Sequence, residues 1–123
     1  MDLAEIRAGV VETLTAAVPA GVTVYDAPPS RPAFPCVILT EAEADFVVPD
    51  PDHFGGYLVS WAAMLAVAPS PDNGRMTADM DGLVGAVLDG AALLLPEIQT
   101  YATATLAGQS YLVATITLQT RID

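Results

Sequence analysis

The chain has 123 residues, 53% of them hydrophobic, and its 15 acidic residues against four arginines and no lysine leave a formal net charge of −11. That length suits one domain spanning residues 1–123, burying about two-thirds of the surface its unfolded form exposes. The charge excludes a nucleic-acid-reading surface, which needs clustered Lys or Arg. No apolar run reaches the ~18 residues of a membrane span, and Met1-Asp2 opens without a secretion-signal layout, so a soluble intracellular chain with no membrane partner is expected.

Asp2 to Val18 reads as a helix. Asp2, with Glu5 three positions on, offers acceptors to amides that lack an intrahelical partner. Leu3, Ile6, Val10, Leu14 and Val18 form one apolar stripe at helical spacing, and Pro19 to Gly21 ends it. Val22 to Tyr25 is a short strand. The following stretch, Asp26 to Pro35, holds four prolines and reads as a stiff extended spacer.

Cys36 to about Ala44 is the next strand, with Glu41 and Glu43 toward its end. Asp45 to Gly56 (DFVVPDPDHFGG) is expected to be an irregular excursion, since Pro49, Pro51, Gly55 and Gly56 break any regular pattern. Its apolar residues Phe46, Val47, Val48 and Phe54 lie in a segment too short for a core of its own, and such residues seek a partner. Gly56 to Val67 is a second long strand bearing the only tryptophan, Trp61. Pro69 to Gly74 is a turn.

A second helix starts between Asp72 and Thr77 and runs to about Leu95. Met76, Met80, Leu83, Val84, Val87, Leu88, Ala91 and Leu95 give it an apolar stripe. Gly82, Gly85 and Gly90 each cost about 1 kcal/mol in a helix interior relative to alanine, which suits close packing against a sheet or a neighbour. Pro96 stops this helix. Ile98 to Leu106 and Gln109 to Ile122 then form a closing hairpin around Ala107-Gly108, rich in threonines that fit a pleated surface. The order helix-strand-strand-strand-helix-strand-strand predicts an α+β fold: a mainly antiparallel sheet of about five strands with two helices packed on one face.

Little in the chain supports reaction chemistry. Cys36 is the single cysteine and sits in an apolar strand, where a thiol behaves as a small buried hydrophobe. Asp50, Asp52 and His53 are potential ligands, yet their spacing matches no metal loop and no further donors are near. Asp79-Met80-Asp81-Gly82 lacks the later glutamate of a calcium loop. Ser30, Ser60, Ser70 and Ser110 lack the glycine-flanked turn of a nucleophile elbow. The expectation is a non-enzymatic domain with no catalytic residue, cofactor or metal.

The whole-chain layout resembles the tail terminator proteins of long-tailed bacteriophages. The resemblance rests on the N-terminal amphipathic helix, the proline-rich passage VTVYDAPPSRPAFPCVIL, the long strand YLVSWAAMLAVA, the helix GRMTADMDGLVGAVLDGAALLL and the closing two-strand segment. It implies a virion structural protein at the head-tail junction, assembled in the host cytoplasm. Such a protein forms a homo-hexameric ring that caps the tail tube, ends its polymerisation and joins it to a neck or head-completion protein. Genomic DNA would pass through the ring unbound, along an acidic channel. The expected contacts with the tube protein or the adjacent subunit are Phe46, Val47, Val48 and Phe54 as anchors, with Asp50, Asp52 and His53 at the rim. A neck or head-closure connector of the same particle is the nearest alternative. A free-standing dimeric ligand-binding domain or small enzyme is the alternative from another class.

Overall fold

The computed structural model describes residues 2–43, 45–106 and 108–122. Its α+β architecture is a six-stranded, mostly antiparallel sheet with two helices on one face. Helix α1 covers Leu3–Ala17, followed by β1 (Thr23–Tyr25), β2 (Cys36–Glu41), β3 (Val47–Pro49) and β4 (Tyr57–Ala66). Helix α2 covers Asn73–Gly90, and β5 (Glu97–Leu106) and β6 (Gln109–Ile122) close the chain. Strands β1-β2-β4-β6-β5 lie side by side, with β3 pairing β4 beyond the end of β2. Among the described residues only β1 and β2 run parallel.

Both helices start at aspartate caps. The Asp2 carboxylate accepts the N–H groups of Ala4 and Glu5, and the Asp72 carboxylate accepts that of Arg75, satisfying donors that a first helical turn leaves orphaned. The apolar stripes then face the sheet. Val10 and Leu14 of α1 and Met80, Leu83, Val84 and Val87 of α2 are buried against Val37, Leu39, Val59, Trp61, Ala63 and Leu65. In β4 the residues of the opposite parity, such as Ser60, Ala62 and Met64, face away from the helices, as the two-residue repeat of a strand requires.

Two expectations need correction here. Helix α2 ends at Gly90, and Ala92–Leu94 is a separate 3-10 turn that leaves Leu93 and Leu95 exposed instead of extending the buried stripe. At Gly90 an added Cβ would stand 2.4 Å from the Ala17 Cβ, so the two helices meet backbone to backbone there. The segment 26–35 is also more than a spacer, because it packs on the second face of the sheet. The Phe34 ring stacks on Tyr111 at 4.2 Å, and the Tyr25 hydroxyl accepts the Ala33 N–H. Together these rings cover Cys36, Ile38 and Val113 in a small second core. The rest of that face stays open. Ala44, the expected strand end, and Ala107 of the expected turn lie outside the described residues; Gly108 has φ +81°, as a tight hairpin turn requires.

Candidate interaction site

The stretch from Glu41 to Gly56 divides into three parts, each built by a different constraint. The first is an interruption. Strand β2 pairs with β4 as far as Glu41 opposite Trp61, and β3 resumes on the same edge with Val47 opposite Val59. Ser60 holds both sides of the gap: its carbonyl accepts the Ala42 N–H at 3.1 Å, and its own N–H donates to the Phe46 carbonyl at 2.8 Å. Between them Glu43 and Asp45 lie off the ladder, with Asp45 left-handed at φ +56°. Such an insertion preserves the ladder while displacing extra residues from it.

The second part, Phe46 to Pro49, packs Phe46 and Val47 against the core. Phe46 meets Trp61 edge-on at 5.1 Å, and Val47 packs beside it on the helix face. The Arg7 guanidinium lies 5.0 Å above the same indole, pairs with Glu41 and donates to the Asp26 carbonyl. That hydrogen bond to Arg7 is the main reason the Glu41 carboxyl titrates below its ordinary value. Trp61 itself is fully buried. Phe46 and Val47, expected as anchors for a partner, therefore pack, partly buried, against the core of their own chain, and pairing with Val59 fixes the side of Val47. Val48, across from Leu58, is half-buried on the second face.

The third part is the turn from Asp50 to Gly56. The Asp50 N–H donates to the Gly56 carbonyl at 2.9 Å, the His53 N–H to the Asp50 carbonyl at 3.3 Å, and the Gly56 N–H to the His53 carbonyl at 3.1 Å. The Asp50 carboxylate accepts the Asp52 N–H at 2.9 Å and lies 4.0 Å from Arg121. Its side chain is only 1% exposed, so Asp50 is an internal brace of the turn and not a rim charge. Asp52 is at the rim, 3.5 Å from Arg121. Gly56 sits where a Cβ would come within 2.9 Å of the Ile122 carbonyl, so no larger residue fits without displacement. Phe54 is fully exposed on the outside of this braced turn, with Tyr57 partly exposed after it.

Of the expected contact residues, then, Phe54 and Asp52 present themselves outward, and His53 is exposed between them. Sequence reasoning missed Arg121, which reaches the turn from the far end of the chain, and the exposed Leu93 and Leu95. The helical spacing of Leu95 concealed its exposure.

A second feature lies on the open sheet face. A trough of about 890 Å³ runs between the proline segment at Pro28 and Pro32, the acidic loop-out at Glu43 and Asp45, and Thr40, Ser60 and Thr115 on the strands. Its hydroxyls can hydrogen-bond and its carboxylates repel anions. Cys36 is buried, and burial pushes its thiol up to about 11, far from the thiolate that reacts or binds metal. Among the described residues no group of three or more His, Cys, Asp or Glu is placed to hold a metal ion, and no helix is long and apolar enough to cross a membrane.

The chain matches no protein-family model and no curated protein.

Proposed function

We propose that the chain is the subunit of a hexameric tail terminator ring of a long-tailed phage. In this role it caps the tail tube, ends its growth and joins it to the neck, with DNA passing through an acidic bore. It works as a structural part of the virion and carries out no catalysis. The observation that carries the reading is the unequal dressing of the sheet. One face is closed by two helices, while the other is largely open and acidic-rimmed, and a braced turn projects Phe54 from one end. A closed ring of identical subunits needs two unlike contact surfaces on each copy, and this asymmetry supplies them. The charge of −11 supports the channel, because an acidic lining repels phosphate where clustered arginines would retain it.

Deleting the gene in the phage that encodes it tests the reading. Overlong tails lacking heads are the expected outcome. Tails of normal length would sink the proposal, and leaking heads would move the protein to the neck. The purified protein provides a second check: a sixfold ring is expected by mass and negative-stain imaging, and a bore lined mainly by arginine would contradict the acidic channel.

A further inference from the structure

The trough on the open sheet face is graded along its strands. At one end Ile38, Met64 and Thr115 lie in register across β2, β4 and β6, and the row is mostly apolar. At the other end Ser60 lies beside Gln119 and has no partner on β2, which stops opposite Trp61. Glu43 and Asp45 fall between Ala42 and Phe46, the two residues whose backbones bond Ser60, so they line the trough at this polar end.

Two independent observations mark that end as a binding site. The first is charge. Glu41, Glu43 and Asp45 line the trough, and no Arg or His does. Arg7 is paired with Glu41, and Arg121 lies with Asp50 and Asp52, so neither cation serves Glu43 or Asp45. Arg31 stands exposed in the proline segment and is not part of the lining. The second is Ser60. It is 9% exposed, its side chain points to the open face, and its hydroxyl makes no hydrogen bond to another described residue. Hydroxyls buried to this degree are ordinarily hydrogen-bonded, so Ser60 holds a bonding group ready at the foot of two carboxylates.

We infer that the trough docks an extended segment of a partner chain that carries arginine or lysine. The cation lies against Glu43 and Asp45, a polar group of the segment bonds the Ser60 hydroxyl, and an apolar side chain covers Ile38 and Met64. From Ser60 to Met64 the floor runs about 13 Å, room for about four residues of extended chain. Arginine fits best, because its planar fork pairs two N–H groups with a carboxylate. The net charge of −11 turns acidic segments away. The inference goes beyond the ring reading, which leaves the chemistry of this face's partner open, and it rests on the trough alone.

The test titrates the isotope-labelled full chain with a short capped peptide alternating valine and arginine. A second peptide carries neutral citrulline in place of each arginine. The arginine peptide binds below about 1 mM, shifts the amide signals of Thr40, Ser60 and Thr117, and loses affinity as salt screens it. The citrulline peptide binds about fivefold more weakly or not at all, and so does the arginine peptide to Glu43→Gln with Asp45→Asn, as loss of two exposed ion pairs requires. Ser60→Ala weakens binding about twofold to tenfold, the net worth of one hydrogen bond. Glu12→Gln with Asp89→Asn removes the same charge from exposed positions on the helices and leaves binding within about twofold of the parent. Melting curves show that each variant folds; the two charge-removing pairs alter exposed side chains only.

No binding up to about 1 mM overturns the inference. So does equal weakening by the two charge-removing pairs, which assigns the attraction to net charge, or a set of amide shifts confined to another face. A chain that ignores the peptide and self-associates through Glu43 and Asp45 overturns it in favour of a second copy. The ring reading fails or stands separately. Sixfold rings without peptide binding leave the ring without this site, and peptide binding by a chain that forms no ring leaves the site without the ring.

Discussion

Phe46 and Phe54 stand on either side of β3 in one short stretch of chain, and their surroundings differ completely. Phe46 lies against the buried indole of Trp61, under the same helix that supplies Arg7. Phe54 is fully exposed to solvent at the tip of a turn braced by the inward-turned Asp50 and by its own backbone hydrogen bonds. The difference comes from pairing. The Ser60 N–H donates to the Phe46 carbonyl and tethers the residue beside Trp61, just ahead of β3, while the turn closes on itself and leaves Phe54 outside. One half of the segment therefore contributes to stability, and the other is free to contribute to recognition.

The sharpest way to break this contrast is at Phe46. Replacing it with alanine leaves a void against Trp61 and should cost about 2–4 kcal/mol, within the range of large-to-small core substitutions. Urea unfolding followed by circular dichroism measures the loss. A cost below about 0.5 kcal/mol, the level of ordinary surface changes, would return Phe46 to the projecting half.

Asp50 should rank next. Asp50→Ala strips the Asp52 N–H of its acceptor and Arg121 of its buried partner, a loss of about 1–3 kcal/mol. Asp52→Ala, which removes only an exposed ion pair, should stay within about 0.5 kcal/mol. Equal effects from the two aspartates would mean that the turn is not braced from inside.

These rankings show where the sequence was informative and where it was silent. The first helix start was legible because Asp2 precedes an apolar stripe at helical spacing, the second only to within Asp72 to Thr77, and β6 was readable end to end because its alternation and threonines satisfy one constraint along its whole length. The sheet was expected to hold about five strands and holds six, since β3 is too short and too proline-marked to stand out. Its existence depends on the free edge of β4 beyond Glu41, which only the assembled sheet creates. The same applies to Phe46 and Val47: loop composition suggested residues seeking a partner in this chain or another, and for Phe46 Trp61 on the neighbouring strand is one. Arg121 reaches Asp50 and Asp52 through the register of β6 on β4, which no local pattern records. Gly90 was recognised as a close-approach residue, yet its contact with Ala17 and the end of α2 there follow from how the helices cross.

A smaller effect tests the anchored half through pH. Glu41 has its carboxyl held below the ordinary carboxylate range, chiefly by the hydrogen bond from Arg7. A lowered folded-state pKa gives stability that is fully present above the unfolded value and is lost as pH falls through the folded one. The pair is half-exposed, so the contribution should be at most about 1 kcal/mol. Glu41→Gln should therefore be slightly less stable than the parent chain at pH 7, with the gap closing as the solution is acidified through the carboxylate range. A gap that widened on acidification would reverse the assignment of Arg7 as the stabilising partner.

The smallest effect on stability belongs to Phe54, and it decides whether the two halves are separable. Phe54→Ala removes a ring that is fully exposed on its own chain, so no cavity forms and no buried polar group loses a partner; unfolding free energy should shift by less than about 0.5 kcal/mol. Burying a phenylalanine at an interface, by contrast, is worth about 1.5–3 kcal/mol, all of which the alanine variant forfeits on association. The expected pattern is an unchanged melting curve together with weakened self-association. The opposite pattern, a lower melting point with association intact, would place Phe54 in the chain's own packing and make the Asp50–Gly56 turn as structural as β3.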